Sequence, residues 1–411
     1  MIRFIFVLWC LMVFSAAIFG QNLQADLKKH FNRFSVVKIN NQEALLKAKS
    51  GIPFNIQTNE RTFEFVLTEN DMRSADYKSE YTDKNGRKAN PVDNVVTTYK
   101  GKLTGESRSI VRMFLNGQRT EGFISTQDRQ DYLIEPATKY SSRAASDEVV
   151  IFQVKDKVNS PVINFGLDGF VAQVKSGVDK QAQAQFVKAG FTRFARTAQT
   201  AMKSIKVATD ADNGFVLANG GVNGSRSKIN SALNIVDGIY ERDLNLSITI
   251  GYAHYWKGYD PYGDLRGDAL LAAFKDYWNV YYPQPSWARN VAHLFSDNYD
   301  APYYGGRGYI GPICTNPSSA YSVTFLYNTG YNSDYALVVA HEVGHNLGGT
   351  HTSEQSGQIR PGCEGSLMQY QLYLGTNGFF CEYSKIEITN YFRSLYDPNQ
   401  PEGLLCDPTL Q

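Results

Sequence analysis

The 411-residue sequence has no cysteine between Cys10 and Cys314, so no disulfide can staple the long stretch between them. It has no excess of either charge. Forty-one Lys and Arg stand against 40 Asp and Glu, a net of +1, which removes the electrostatic footprint expected of a nucleic-acid binder. Internal repeats are absent, and so is any apolar run of the 18 or more residues that a spanning helix needs. Histidine is scarce, yet three of the six fall within eleven positions. What is abundant is apolar and aromatic material, 43% and 13%, against only 20% charged residues. A chain of this length and composition buries a real core and accommodates two or three domains, which excludes a disordered or fibrous protein.

The N-terminus bears on the compartment. Arg3 is followed by almost unbroken apolar sequence from Phe4 to Phe19, and the chain turns polar at Gln21. That is the layout of a secretory signal peptide, with cleavage expected after Ala17 or Gly20; an uncleaved anchor is the alternative. Residues 1–20 are assigned to it, which predicts a secreted protein with no membrane anchor after cleavage. Cys10 would leave with this segment. Cys314, Cys363, Cys381 and Cys406 would remain, an even number for an oxidising compartment, with three connectivities open.

From about Phe34 to Tyr140 the pattern is one of short strands and turn chemistry, including Asn85-Gly86 and Asn116-Gly117, which predicts a mostly β domain. Between Ser160 and Thr200 it loosens, and Arg193-Phe-Ala-Arg196 reads either as a processing site or as a basic linker. Beyond it strands and helices alternate. Strands are expected at 205–209, 246–250, 290–295 and 308–313, with helices capped at Ser227, from Asp264 to Tyr281 and from Ser333 to Leu347. The fold class read from this is α/β to α+β, a mixed sheet with long helices preceded by a β-rich region. The domains expected are 21–196 and 197–411. Charge divides along the same line: 13 basic and 20 acidic residues lie in 197–411, leaving 28 of the 41 and 20 of the 40 to the first 196. The halves carry −7 and +8, and would attract each other.

The third of these helices runs into His341-Glu342-Val343-Gly344-His345-Asn346-Leu347-Gly348-Gly349-Thr350-His351. Positions i and i+4 share a helix face, so His341 and His345 can direct imidazoles at one metal ion. Gly348 can take left-handed backbone angles, stop the helix and return the chain so that His351 supplies a third nitrogen. Three nitrogen ligands leave a coordination position open for water, the hallmark of a catalytic zinc site. Glu342, next to the first ligand, is placed to act as general base toward that water.

These eleven residues resemble the extended zinc signature of the metzincin endopeptidases. Gly365-Ser366-Leu367-Met368 is similar to the family's methionine turn, with Met368 as its methionine. Gly308 to Cys314 and the ending through Cys406 resemble the reprolysin branch, and Val95 to Pro136 resembles reprolysin-type propeptides. The resemblance implies a zinc endopeptidase holding one catalytic ion, acting on extended polypeptides that pair with Gly308, Tyr309 and Ile310, and restrained by its own propeptide. It also implies disulfides Cys314–Cys406 and Cys363–Cys381. Nothing in the sequence indicates a calcium site. Two departures stand out: Thr352 follows the third histidine where reprolysins have Asp, and Ser366-Leu-Met-Gln-Tyr370 is closer to the astacin and serralysin form, which implies that the Tyr370 hydroxyl approaches the metal. The propeptide region has no cysteine to block the zinc, so latency would need another group, Asp168 being one candidate. A latent binding protein and a zinc hydrolase of small substrates are the alternative readings.

Overall fold

The computed structural model describes residues 23–90, 95–158, 162–164, 202–298, 305–326, 332–353, 357–373, 378–394 and 406. The signal segment 1–20, Asp168 and the stretch Arg193 to Arg196 lie outside these residues. The chain falls into two compact units, Met1–Asn70 with Val96–Pro161, and Asp71–Val95 with Val162–Gln411. This division differs from the boundary expected at residue 196, because the second unit starts at Val162 and also takes in Asp71–Val95.

In the first unit, strands β1 (Ser35–Lys38), β2 (Phe54–Gln57) and β3 (Thr62–Glu69) are followed in the chain by β4 (Arg73–Asp83) and β5 (Gly86–Ala89), which are part of the second unit. The first unit resumes with β6 (Thr98–Leu103), β7 (Ile110–Leu115), β8 (Thr120–Ser125), β9 (Asp131–Pro136) and β10 (Glu148–Gln153). They form one eight-stranded antiparallel sheet in the order β1-β10-β9-β8-β7-β6-β3-β2. Strands of this length with apolar residues on alternate positions, such as Phe63, Phe65 and Leu67, place one face on a core. Helix α1 (Asn41–Lys49) covers that core with Ala44 and Ala48, its N-terminus capped by the Asn40 side chain.

The second unit holds the histidine motif. Its strands are β11 (Val162–Asn164), β12 (Lys203–Ala211), β13 (Leu246–Trp256), β14 (Val291–Ser296), β15 (Gly305–Gly308), β16 (Tyr321–Phe325) and β17 (Gln371–Tyr373). Seven strands form a sheet in the order β15-β16-β14-β12-β13-β4-β5. All pairings are parallel except at its two ends, where β15 runs against β16 and β5 against β4. A second, two-stranded sheet pairs β11 with β17. Parallel strands need crossover connections, and the helices in them are α2 (Asn213–Ala218) and α3 (Val222–Leu244) between β12 and β13 and α4 (Gly267–Tyr281) between β13 and β14, with α5 (Asn332–Asn346) and α6 (Glu382–Ser394) following the sheet's last strand. Leu270, Leu271, Phe274 and Trp278 of α4 pack on Tyr252, Trp256, Leu294, Tyr321 and Val323 of the sheet.

Three local expectations are corrected. Helix α3 begins at Val222, so Ser227 lies inside it rather than at its cap. The edge strand β15 ends at Gly308 instead of starting there, since Pro312 and the left-handed Cys314 (φ 66°) cannot continue an extended strand. Strand β16 was not anticipated at all. The structure joins Cys314 to Cys406 and Cys363 to Cys381. Among the described residues no helix is long and apolar enough to cross a membrane.

Beneath the sheet centre sits a wholly buried carboxylate. Asp210 of β12 accepts hydrogen bonds from Tyr262 Oη (2.6 Å), Trp278 Nε1 (2.8 Å), Trp256 Nε1 (3.3 Å) and the Ala211 amide, and bonds to His254 Nδ1 (3.0 Å). Five partners supply the solvation that water would otherwise give. Asp210→Ala should strand those donors and lower stability by about 3–5 kcal/mol, measured as a fall in the urea midpoint at unchanged m-value.

Candidate metal centre

Helix α5 carries Ala336 to Ala340 into the site as a fully buried stretch, so the histidines at its end are presented from a rigid element. His341 and His345 fall on one face, and their Nε2 atoms lie 3.0 Å apart. The helix stops at Gly348, whose φ of 91° is closed to other residues without strain. Space imposes the same choice, because a Cβ there would stand 2.8 Å from Cγ of Tyr391. The turn brings His351 Nε2 to 3.1 Å from each of the other two.

Three imidazole nitrogens at such separations cannot all carry protons, and three lone pairs facing one point repel unless a cation sits between them. Their tautomers are set from behind. His345 Nδ1 faces the Gly349 carbonyl at 2.8 Å and His341 Nδ1 the Leu367 carbonyl, so each Nδ1–H donates to backbone and leaves Nε2 as a ligand atom. Burial first, and then the two neighbouring imidazoles, hold the His341 pKa well below the ordinary histidine value, which keeps it unprotonated. Three imidazole donors whose ligand atoms lie this close together fit a zinc ion.

Glu342, next to His341 in the chain, is buried against strand β15. The fit depends on glycine. A Cβ at Gly306 would lie 2.5 Å from Glu342 Cγ, and one at Gly308 would lie 2.6 Å from the Glu342 carbonyl oxygen. Of the residues expected to meet substrate, Gly308 closes the strand, while Tyr309 and Ile310 follow it. Asn346 at the end of α5 donates to the carbonyls of Tyr309 (2.7 Å) and Tyr321 (3.0 Å), fixing the edge to the helix.

Met368 is fully buried under the triad, with its sulfur 3.0 Å from where a Cβ of Gly344 would stand. Its carbonyl accepts from the Thr352 amide at 2.7 Å, which ties the turn to the residue after the third ligand. Tyr370 packs edge-on against the His351 ring, centroids 5.4 Å apart. Phe380 is core, buried against Tyr240, while the side chain of Tyr373 lies outside the described residues.

One contributor escaped the sequence reading. Glu387 of α6, a half-buried carboxylate whose pKa is raised by desolvation, accepts from the Thr350 amide (2.7 Å) and hydroxyl (2.9 Å). It fixes the residue just before His351. An acidic residue 36 positions beyond its partner's motif carries no local signal, so only the fold reveals it.

Residues 201–380 match the family model Reprolysin_5, described as metallo-peptidase family M12. A zinc metalloproteinase/disintegrin of Bitis gabonica is 26% identical over 209 residues, covering 50% of this chain and 61% of that protein. The zinc metalloproteinase-disintegrin-like brevilysin H2a of Gloydius brevicauda is 26% identical over 219 residues, 51% of this chain and 48% of that protein. The chain thus matches about half to three fifths of the length of these curated relatives.

Because Glu387 holds the return loop, Glu387→Ala should weaken metal binding about 10–100-fold. Zinc titration against a competing chelator measures this; an unchanged affinity would remove Glu387 from the site.

Proposed function

We propose that this chain, whose residues 201–380 are a reprolysin-type metzincin domain of metallopeptidase family M12, is a secreted zinc endopeptidase made as a zymogen. One observation carries the reading: three imidazole nitrogens converge within about 3 Å of one another, and the residue next to the first of them in the chain is the buried Glu342. Zinc held by His341, His345 and His351 supplies Lewis acidity to a water and to the scissile carbonyl.

The remaining work falls to this chain's own groups. Glu342 accepts the water proton at its carboxylate and returns it to the leaving amine. Gly306 and Gly308 leave it room to do so. Among the described residues no strand pairs with the outer side of β15, which suits an extended peptide added as a further strand running to Gly308, Tyr309 and Ile310. That favours long polypeptides over the small substrates of other zinc hydrolases. The Tyr370 hydroxyl, on the ring that abuts His351, stabilises the oxyanion. Met368 supports the ligand helix from below.

Latency has its own support. Strand β11, from the upstream region, pairs antiparallel with β17, so that Val162 stands opposite Tyr373 and Asn164 opposite Gln371, directly after the methionine turn. An upstream segment laid along β17 competes for the space that substrate needs. The N-terminal apolar segment supports export, and the zymogen region ends at the Arg193-Phe-Ala-Arg196 linker.

Glu342→Ala should retain one zinc per chain and lose about 10²–10⁴-fold in kcat/KM on a long, end-blocked peptide; full activity would refute the general-base role. Tyr370→Phe should lower kcat by about 10²-fold or more with KM little changed, and wild-type turnover would leave the tyrosine a packing residue.

A further inference from the structure

The peptidase sheet does not end with the strands encoded after residue 197. Beyond β13 it continues into β4 and β5, a hairpin encoded at residues 73–89. The pairing of β4 on β13 is parallel, with Tyr252 opposite Lys78, Ala253 opposite Ser79, His254 opposite Glu80, Tyr255 opposite Tyr81 and Trp256 opposite Thr82. Backbone bonds extend it at both ends, from the Ile250 amide to the Met72 carbonyl and from the Lys257 amide to the Thr82 carbonyl (2.8 Å).

Side chains make this more than a backbone contact. Thr82 Oγ1 is hydrogen bonded to His254 Nε2 at 2.8 Å, while Asp210 engages the other ring nitrogen, and His254 is wholly buried. Tyr252 Oη donates to Glu80 at 2.6 Å, and Lys206 Nζ pairs with Asp76 at 2.9 Å. The Arg87 guanidinium lies over the Tyr282 ring at 4.4 Å. Without the hairpin, the domain from residue 197 onward would carry a buried imidazole nitrogen short of its partner and an open β13 edge.

We propose that β13 is a dedicated strand-acceptor edge whose occupant is this chain's own 73–89 hairpin, and that the hairpin remains bound to the peptidase domain in trans after the connecting chain is cut. The zymogen region is then retained as a non-covalent subunit rather than shed. This inference rests on the reading of the chain as a zymogen. Cutting the linker does not remove the strand pairing; it only converts an intramolecular contact into a bimolecular one, with the loss of effective concentration that this entails.

The test uses the full chain, zinc-loaded, with Arg193-Phe-Ala-Arg196 replaced by the recognition sequence of an added site-specific protease. After complete cutting, the two pieces should co-elute on size exclusion in 1 M NaCl, and the amides of residues 250–256 should keep the slow hydrogen exchange of the uncut chain. Separation of the pieces, or co-elution with those amides exchanging freely, overturns the proposal. Thr82→Val in the same background should speed dissociation of the cut pieces at least tenfold, with Thr82→Ser restoring the slow rate; identical rates in all three overturn it as well. Because an added protease makes the cut, the result does not depend on whether the chain itself hydrolyses peptides.

Discussion

The organisation of the site depends on where helix α5 ends. A helix continued past Asn346 would carry His351 away from His341 and His345. Gly348 is the residue that permits the stop, both because its backbone is left-handed and because Tyr391 occupies the place of any side chain. From that one turn follow the approach of the third imidazole, the Gly349 carbonyl that orients His345, and the Thr350 amide that Glu387 seizes. The metal centre is thus a property of a helix terminus as much as of three histidines. Tyr391 secures the turn further, its single hydroxyl proton shared between the carbonyls of Gly311 and Ile313 on the chain leading to Cys314.

Much of this was legible in the sequence, for a physical reason. Ligand spacing on a helix is local: i and i+4 share a face whatever surrounds them, and a glycine three residues later announces the turn. The helices at 264–281 and 333–347 and the strands near 205, 246 and 290 were legible for the same reason, because apolar periodicity records which face is buried. Sequence pattern fails where structure is set by distant partners. Tyr321-Ser-Val-Thr-Phe325 is short and half polar, and it becomes a strand because β14 and β15 bind both its edges. Glu387 and Asn346 act on residues tens of positions away or through backbone carbonyls, which no motif encodes. The disulfide partners were readable only through family resemblance; four cysteines alone leave three pairings.

The hairpin is the clearest case. Asn85-Gly86 reads as turn chemistry, and the structure forms a hairpin around it with Glu80 paired to Ala89. Nothing in those residues says which sheet it joins. Placement in the second unit's sheet arises from Thr82, Glu80 and Asp76 meeting His254, Tyr252 and Lys206, a match between two stretches whose compositions look unrelated. The opposite charges of the two halves, read as a long-range attraction, have a local counterpart in the pairing of Lys206 with Asp76, which runs against the overall sign of each half.

The same hairpin constrains the order in which the chain can fold as it is made. Glu80 and Tyr252 are 172 residues apart. At a synthesis rate of about 5–20 residues per second, β4 leaves the ribosome roughly 10–30 seconds before β13 exists. During that interval the sheet of the first unit can assemble by joining β3 to β6 around it, while the strand between them waits without its partner. Nascent molecules therefore pass through a stage in which the edge of β4 that β13 will occupy is still without that partner.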